Sequence, residues 1–344
     1  MKKVLVVIKD PGGVNNVFPV PRLMRHLPTQ FEVKIIADAN GKAPEILRAS
    51  GEEFEIFYSA EDVLKKYPYP DLMVTSMDSG ESLGRNLVPL LRGKCPTVAM
   101  VDSPWGRYEK EWNDPKYRPD WLVVNDQVCA DNALKIWTDY DPEKIGIIGW
   151  PFLDRYDEFD LQSASRAMVE RYGDRPIVLF LGQLEHTHEV LREVCLALKA
   201  IGEEINFIVR LHPRCSQKER DACHEVTDKE FGAVYNETPM STSTLIAGSD
   251  VTVSMYSLSL IEAAALRRQA ISVMTEAGYA AFRGDIGDTL TPCFGEAGYA
   301  TEVHNLAELA VALQEAIKGE LFQDKGLILD GLNAWQVVSF LKGI

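Results

Sequence analysis

The chain has 344 residues, 46% of them hydrophobic. This suffices for about two domains of ~150 residues with separate cores and excludes intrinsic disorder. Its 36 basic and 51 acidic residues leave a formal net charge of −15 at pH 7, the wrong sign for binding along a nucleic-acid backbone. The apolar run Val4 to Ile8 is too short for a signal peptide or a membrane span. We therefore expect a cytoplasmic protein whose six cysteines, none in a CxxC pair, are reduced; the sequence does not indicate its oligomeric state.

In the amino-terminal half, short β-branched runs alternate with segments of helical spacing. A Gly-rich turn and a helix over Val17 to Leu27 follow the first run. We predict strands at Val4 to Ile8, Val33 to Ala37, Leu72 to Ser76, Val98 to Val101, Leu122 to Asn125 and Ile145 to Ile148. Nearly continuous apolar strands that alternate with helices indicate a parallel sheet buried on both faces.

The same alternation returns in the second half, where we predict four strands and three helices: Ile177 to Leu181, Asn206 to Leu211, Val251 to Ser254 and Ala270 to Met274, with helices at Glu189 to Ile201, Gln217 to Val226 and Leu258 to Leu266. The sequence thus predicts two Rossmann-like, doubly wound α/β domains, residues 1–155 and 156–331, which face each other across a cleft. A hinge is expected at Pro151 to Ser165. Such folds bind ligands at the carboxyl ends of their strands. A last apolar helix, Ala334 to Leu341 within residues 332–344, is expected to dock on an existing surface, for which the first domain is a candidate.

Two glycines and two aspartates are the candidate site residues of the first domain. Gly12 and Gly13 lie between a strand and a helix, where backbone N–H groups can approach an anionic or sugar-bearing ligand. Asp78 and Asp102 each follow a strand, where partial burial can raise the pKa of a carboxyl group into the range useful for a general base. The alternatives are structural: a plain glycine turn, a helix cap at Asp78 or its neighbour, and a turn opened by Asp102.

A basic cluster, which we define as Arg210, His212 and Arg214, ends a strand of the second domain in the segment FIVRLHPR. Alternation along the strand places these side chains on one side. Three potential cations at one strand end of an acidic protein indicate an anion site, and guanidinium groups match phosphate in a bidentate manner. In the alternative, Arg210 pairs with a carboxylate and His212 caps a turn.

The segment SDVTVSMYSLSLIEAAAL combines a strand end with a helix start. Ser257 or Ser259 can cap this helix, and hydroxyl groups beside free backbone N–H groups form a seat for a diphosphate. Glu262, in the first turns, is placed to accept hydrogen bonds from ribose hydroxyls. A capping box between Ser259 and Glu262 would produce a similar pattern.

Three groups of side chains imitate metal-binding motifs: His186 with His188, His212 with Cys215, Cys223 and His224, and Asp139 with Asp141. Neither histidine group has the spacing of a metal site. The run Asp141-Pro142-Glu143 is typical of a helix start. We therefore predict no metal site.

With these motifs in place, the chain resembles, over nearly its whole length, the two-domain nucleotide-sugar fold called glycosyltransferase B (GT-B). GGVNNVFPVPRLM is similar to the Gly-rich loop and helix of the peptidoglycan N-acetylglucosaminyltransferase, although a histidine usual in that loop is absent. MVTSMDSGES, VAMVDSPWGR and KIGIIGWPFLD resemble loops of the UDP-N-acetylglucosamine 2-epimerases, and the resemblance places Asp78 and Asp102 where that family has catalytic carboxylates. RLHPR and SMYSLSLIEA are similar to the motifs with which CDP-glycerol glycerophosphotransferases and capsule sialyl- or Kdo-transferases hold nucleotide phosphates.

The chain departs from these families at two places. Gly182-Gln183-Leu184 stands where an epimerase-like His-Arg-rich loop is expected, which counts against epimerisation. Met255 replaces the acidic residue that often precedes the Tyr256-Ser257 pair, which counts against a CDP-glycerol activity. Gly182, Gln183 and Tyr256 are included in the predicted nucleotide-binding set.

The residues and the resemblance together predict a metal-independent glycosyltransferase without a cofactor, which moves a sugar from a UDP- or CMP/CDP-linked donor to an unknown acceptor hydroxyl. Asp102, or Asp78, would deprotonate the acceptor. The basic cluster and Ser257 would neutralise the leaving diphosphate, and Glu262 would bind the ribose. Domain closure at the hinge would exclude water. The alternatives are a nucleotide-sugar 2-epimerase, a CDP-glycerol or CMP-sugar-type transferase, and a non-catalytic nucleotide-binding module.

Overall fold

The computed structural model describes residues 1–235, 240–320 and 330–344. The chain divides into two compact units, Met1–Asp157 with Ile328–Ile344, and Glu158–Leu327. Each unit is built on one sheet, and every strand pair in the described residues is parallel. The predicted fold class, two doubly wound α/β units with parallel sheets, is confirmed.

The first unit holds, in its described residues, a seven-stranded sheet of order β3-β2-β1-β4-β5-β6-β7. Its strands are β1 (Lys2–Ile8), β2 (Phe31–Asp38), β3 (Glu55–Phe57), β4 (Leu72–Ser76), β5 (Thr97–Met100), β6 (Trp121–Val124) and β7 (Ile145–Ile147). Its helices are α1 (Pro11–Val17), α2 (Pro19–Arg25), α3 (Ala43–Ala49), α4 (Ala60–Lys66), α5 (Leu83–Leu91) and α6 (Gln127–Ile136). Short 3-10 helices lie at Pro115–Tyr117, Pro142–Lys144 and Pro151–Tyr156.

The second unit holds a six-stranded sheet of order β10-β9-β8-β11-β12-β13 in its described residues. The strands are β8 (Ile177–Leu181), β9 (Asn206–Arg210), β10 (Val234–Tyr235), β11 (Val251–Ser254), β12 (Gln269–Val273) and β13 (Thr301–Val303). The helices are α7 (Leu161–Tyr172), α8 (Thr187–Ile201), α9 (Gln217–Glu230), α10 (Thr242–Ala247), α11 (Ser259–Ala265), α12 (Glu276–Asp285) and α13 (Leu306–Ile317).

The strand order of each sheet reverses at one position. In the first sheet β1 lies between β2 and β4, and in the second β8 lies between β9 and β11. Strands β4, β5, β8 and β11 are buried along their whole length, because helices cover both faces of such sheets. The loops that leave the two strands at a reversal run in opposite directions, so a crevice opens at their carboxyl ends. In each unit, we therefore expect the candidate site residues at the carboxyl ends of these strands.

The C-terminal helix, α14 (Asn333–Gly343), packs on the first unit. It contacts α2 and the 3-10 helix Pro151–Tyr156. Its N-terminus is capped by Asp154 from that 3-10 helix: one carboxylate oxygen accepts the Asn333 N–H (3.1 Å) and side-chain Nδ2 (2.7 Å), and the other accepts the Ala334 N–H (2.8 Å). A residue 180 positions earlier thus satisfies the exposed N–H groups of this helix.

The start of the first unit differs from the prediction. The helix expected over Val17 to Leu27 is two helices, α1 and α2, and α1 already begins at Pro11. Gly12 and Gly13 therefore lie in the first helical turn instead of in a Gly-rich turn before it. Proline is well suited to the first helical position because the N–H it lacks would have no partner there.

Candidate functional site

Three aspartates follow neighbouring strands of the first sheet. Asp10 comes after β1, Asp78 after β4 and Asp102 after β5. The β1–β4 pair is the position at which the strand order reverses. The structure thus places the predicted site residues Asp78 and Asp102 at the carboxyl ends of adjacent strands. Asp10, at the end of β1, is a third aspartate that the predicted site did not include. The sequence signal for Asp10 was available, since it stands directly after a buried strand.

Gly12 and Gly13 allow α1 to lie against these carboxyl groups. A Cβ atom on Gly12 would lie 2.0 Å from Asp102 Oδ2. One on Gly13 would lie 2.3 Å from Ser76 Oγ and 2.9 Å from Asp78 Oδ1. Both positions need glycine for its small volume, because any side chain would displace the groups behind it. The assignment of both glycines to ligand binding stays a prediction, and the structure shows what they pack against.

Asp78 is the most buried of the three aspartates, with 3% of its surface exposed. Its Oδ1 accepts the backbone N–H of Asp10 (3.1 Å), and its Oδ2 has no hydrogen-bond partner in the described residues. Burial, with the charges of Asp10 and Asp102, raises the pKa of the Asp78 carboxyl well above its usual range. The nearby Ser76 hydroxyl lowers this pKa in part, although its geometry is not that of a hydrogen bond. Burial and these neighbouring charges therefore favour the neutral form of the Asp78 carboxyl.

The capping alternative for Asp78 is wrong. The N-cap of α5 is Ser82, whose hydroxyl accepts the Arg85 N–H (3.3 Å). Ser79, the other candidate cap, donates its hydroxyl to Asp10 Oδ2 (2.9 Å). Asp102 is half-buried and precedes a series of turns, so its possible role in opening a turn stays open. Because burial favours the neutral form of Asp78, which cannot take a proton, the half-buried Asp102 is the better of the two predicted general bases.

In the second unit, the loops after β8 and β11 meet at the reversal of strand order. Gln183 Oε1 accepts the backbone N–H of Tyr256 (3.4 Å), and the Gln183 N–H donates to Thr187 Oγ1 (3.0 Å). Gly182 allows a close approach of Thr187, whose Cγ2 would lie 2.7 Å from a Cβ at position 182. Gly182, Gln183 and Tyr256 are therefore brought together. The Tyr256 hydroxyl, however, donates to the Ala281 carbonyl (3.1 Å).

The basic cluster ends β9, next to β8. Arg210 Nη1 donates to the Met240 carbonyl oxygen (2.6 Å). His212 Nδ1 accepts the Arg214 N–H (3.1 Å), as in the turn-capping alternative. Burial, followed by the charges of Arg214 and Arg220, lowers the pKa of His212, so its imidazole is neutral at pH 7, with its proton on Nε2. The cluster therefore holds two guanidinium groups and a neutral imidazole, where the sequence indicated three potential cations. Arg220, which donates to the His212 carbonyl (3.0 Å), is a further cation that the sequence analysis missed.

The start of α11 matches one of the two predicted capping arrangements in part. The helix begins at Ser259 and its N-cap is Leu258, whose side chain forms no cap hydrogen bond. A capping box between Ser259 and Glu262 is therefore wrong. Ser257 Oγ instead accepts the Ser259 N–H (3.3 Å), and Ser257, Ser259 and Glu262 are half-buried. Their assignment to diphosphate and ribose stays a prediction.

The metal-like motifs have other partners. His186 Nδ1 lies 3.1 Å from Glu189, His188 Nδ1 lies 2.8 Å from Glu219, and Asp141 caps the 3-10 helix Pro142–Lys144. Within residues 1–235, 240–320 and 330–344, no group of three His, Cys, Asp or Glu side chains is arranged to hold a metal ion. All six cysteines are buried thiols. No helix in the described part of the chain is long and apolar enough to cross a membrane.

Solved structures with the same fold cover the whole chain. The UDP-GlcNAc 2-epimerase of Neisseria meningitidis, bound to UDP-GlcNAc, has a TM-score of 0.71 at 13% identity, with 100% of both chains covered. HepE of Anabaena, in complex with UDP and glucose, has a TM-score of 0.70 at 12% identity, and MurG of Acinetobacter baumannii has 0.58 at 12%, again with 100% of each chain covered. No protein-family model and no curated protein sequence matches the chain. The two sheets and these structures confirm the predicted GT-B fold.

Proposed function

We propose that the chain is an enzyme that acts on a nucleotide sugar, and that it transfers the sugar to an acceptor hydroxyl. The observation that carries this proposal is the half-buried Asp102 carboxylate at the end of β5, which lies beside Gly12, while Asp78 is buried. A direct displacement needs one accessible carboxylate that is not engaged in holding a neighbouring loop, since one base must take one proton; Asp10, also half-buried, is hydrogen-bonded to Ser79. The solved structures with this fold support the substrate class, because their bound molecules include UDP-GlcNAc and UDP.

In the proposed reaction, Asp102 takes the proton of the acceptor hydroxyl as its oxygen bonds to the anomeric carbon of the sugar. The bond between that carbon and the diphosphate oxygen breaks, and the nucleoside diphosphate leaves with the electron pair. The second unit would bind the nucleotide. Arg210 and Arg214 would stabilise the charge that develops on the leaving diphosphate, the His212 Nε2–H would donate to it, and Glu262 would accept from the ribose.

A nucleotide-sugar 2-epimerase is the second candidate. The solved 2-epimerases of this fold favour it, and the three aspartates at the first sheet edge offer acid and base groups for proton exchange at the sugar C2. The burial of Asp78 counts against it, because exchange at C2 requires groups that reach the sugar from both sides. The Gly182-Gln183 pair, in place of the His-Arg-rich loop expected from the family resemblance, also counts against it.

Incubation with a panel of UDP-, CDP- and CMP-sugars in D2O separates these functions. A transferase slowly hydrolyses its donor when the acceptor is absent, so we expect free nucleotide and no deuterium at the sugar C2. Deuterium at C2 with an intact donor would establish the epimerase instead. Calorimetric binding of a donor without either product would indicate a non-catalytic module, and the absence of binding to every member would refute the proposal.

A further inference from the structure

Hydrogen bonds join Lys9 and Asp10, at the junction between β1 and α1, to the loop that carries Asp78. The Asp10 backbone N–H donates to Asp78 Oδ1 (3.1 Å). Asp10 Oδ2 accepts two hydrogen bonds from Ser79, from its N–H (3.2 Å) and its hydroxyl (2.9 Å). On the other side, Lys9 Nζ donates to the Ser79 carbonyl (2.6 Å). Asp10 therefore holds both the side chain of Asp78 and the backbone that follows it.

Of the remaining groups around Asp78, the carboxylates add negative charge, and the Ser76 hydroxyl is the side chain that favours the ionised form. Asp102, from the end of β5, is the second carboxylate that acts on Asp78. Glu111 accepts the Gly80 N–H (2.8 Å), and the Trp112 indole donates to the Asp78 carbonyl (3.3 Å), not to its carboxyl. The Lys9 ammonium group, which follows β1, donates to the Ser79 carbonyl and not to the Asp78 carboxyl. An ionised Asp78 would thus be buried beside two carboxylates, with Oδ2 lacking any partner in the described residues.

These contacts lead to a role for Asp10 that rests on the proposed function. We propose that Asp10 is a positioning residue, which fixes the orientation of the Asp78 carboxyl and keeps it in its neutral, proton-carrying form. The Asp10 N–H occupies Oδ1, so the proton of the neutral carboxyl resides on Oδ2. The negative charge of Asp10 opposes ionisation of Asp78 more strongly than the N–H hydrogen bond favours it. The three aspartates at the carboxyl ends of β1, β4 and β5 then carry two negative charges instead of three, which limits the repulsion of an anionic nucleotide sugar.

The test follows the Asp78 carboxyl directly, without substrate. The infrared C=O band of a protonated carboxyl, assigned by its loss in Asp78→Asn, is recorded against pH in the wild type and in Asp10→Asn. We expect the wild-type band to persist above the pH range in which an exposed carboxyl titrates, and the band of the variant to disappear at a pH lower by about one unit, because a neighbouring negative charge is removed. The matched control is Asp71→Asn, whose exposed carboxylate accepts the Lys3 N–H and which should leave the band unchanged.

Two further measurements keep the outcomes separate. Asp102→Asn removes the other neighbouring charge and should shift the Asp78 band downward by less than Asp10→Asn does. If Asp10→Asn fails to fold, Asp10→Ser serves as the test, because it removes the same charge and keeps a residue favoured at the N-cap of α1. Bands that titrate identically in the wild type and in these variants would overturn the proposal, as would an Asp78 band that disappears in the pH range of an exposed carboxyl. In donor hydrolysis, the alkaline limb of the kcat/KM profile, which reports the free enzyme, should move in Asp10→Asn by the same amount as the band. A shifted band in a protein that turns over no nucleotide sugar would support the role of Asp10 and refute the proposed function.

Discussion

Replacement of Gly12 by alanine tests the position of the proposed base without touching the base itself. The new Cβ would lie 2.0 Å from Asp102 Oδ2, and Cβ contacts below 3.0 Å are essentially never observed. The carboxylate must therefore move by about 1 Å or more, a misplacement that can lower the rate about 100-fold. The fold should tolerate the change, because the displaced atom ends a flexible side chain and alanine favours a helix over glycine by ~0.5–1 kcal/mol.

We therefore expect Gly12→Ala to lower kcat for donor hydrolysis about 100-fold, with little change in KM and with a melting temperature equal to or above that of the wild type. Release of nucleoside diphosphate measures the rate, and thermal unfolding measures the stability. Gly284→Ala in α12 is the matched control, since a Cβ there meets nothing within 4 Å. A folded Gly12→Ala protein with the kcat of the wild type would refute the assignment of Asp102.

Three further predictions concern charge and capping. Between the ordinary and the raised pKa of Asp78, the folded chain holds a proton on this carboxyl that the unfolded chain releases. In this pH range the free energy of unfolding of the wild type should therefore fall, relative to that of Asp78→Asn, by about 1.4 kcal/mol per pH unit. Free energies of unfolding from urea denaturation that change with pH equally in the two proteins would contradict this. Asp154→Ala removes the acceptor of three hydrogen bonds at the start of α14 and should cost about 1–3 kcal/mol in the same assay; a variant as stable as the wild type would show that the cap is dispensable. Arg210→Ala should weaken UDP or CDP binding by ~1.5–3 kcal/mol in calorimetry, and unchanged affinity would remove Arg210 from the site.

The sequence predicts the buried strands well and the edge strands poorly. Strands β4, β8 and β11 lie at the predicted residues, because a strand buried on both faces reads as an uninterrupted apolar run. Of the four strands at the edges of the two described sheets, β7 was predicted at Ile145 to Ile148, and β3, β10 and β13 were missed. The three missed strands have two or three residues each, and their half-exposed side chains leave no such run.

At the candidate site, the sequence identifies residues but does not predict the contacts and the burial that set their pKa values. The sequence places Asp78 and Asp102 each at the end of a strand, and these strands, β4 and β5, lie side by side in the sheet. The raised pKa of Asp78 depends on burial beneath α1 and on Asp10, which is 68 residues away in sequence. Similarly, the sequence shows three basic side chains around Pro213, but the neutral state of His212 depends on Arg220 and on burial.

The most direct test of the account is the activity of Asp102→Asn in nucleotide release from a donor sugar that the wild type turns over. The variant should bind the donor with wild-type affinity in calorimetry and release nucleotide at least ~100-fold more slowly, as expected for the loss of a general base. Release at the wild-type rate would contradict the central claim that the carboxylate at the end of β5 takes the proton of the acceptor.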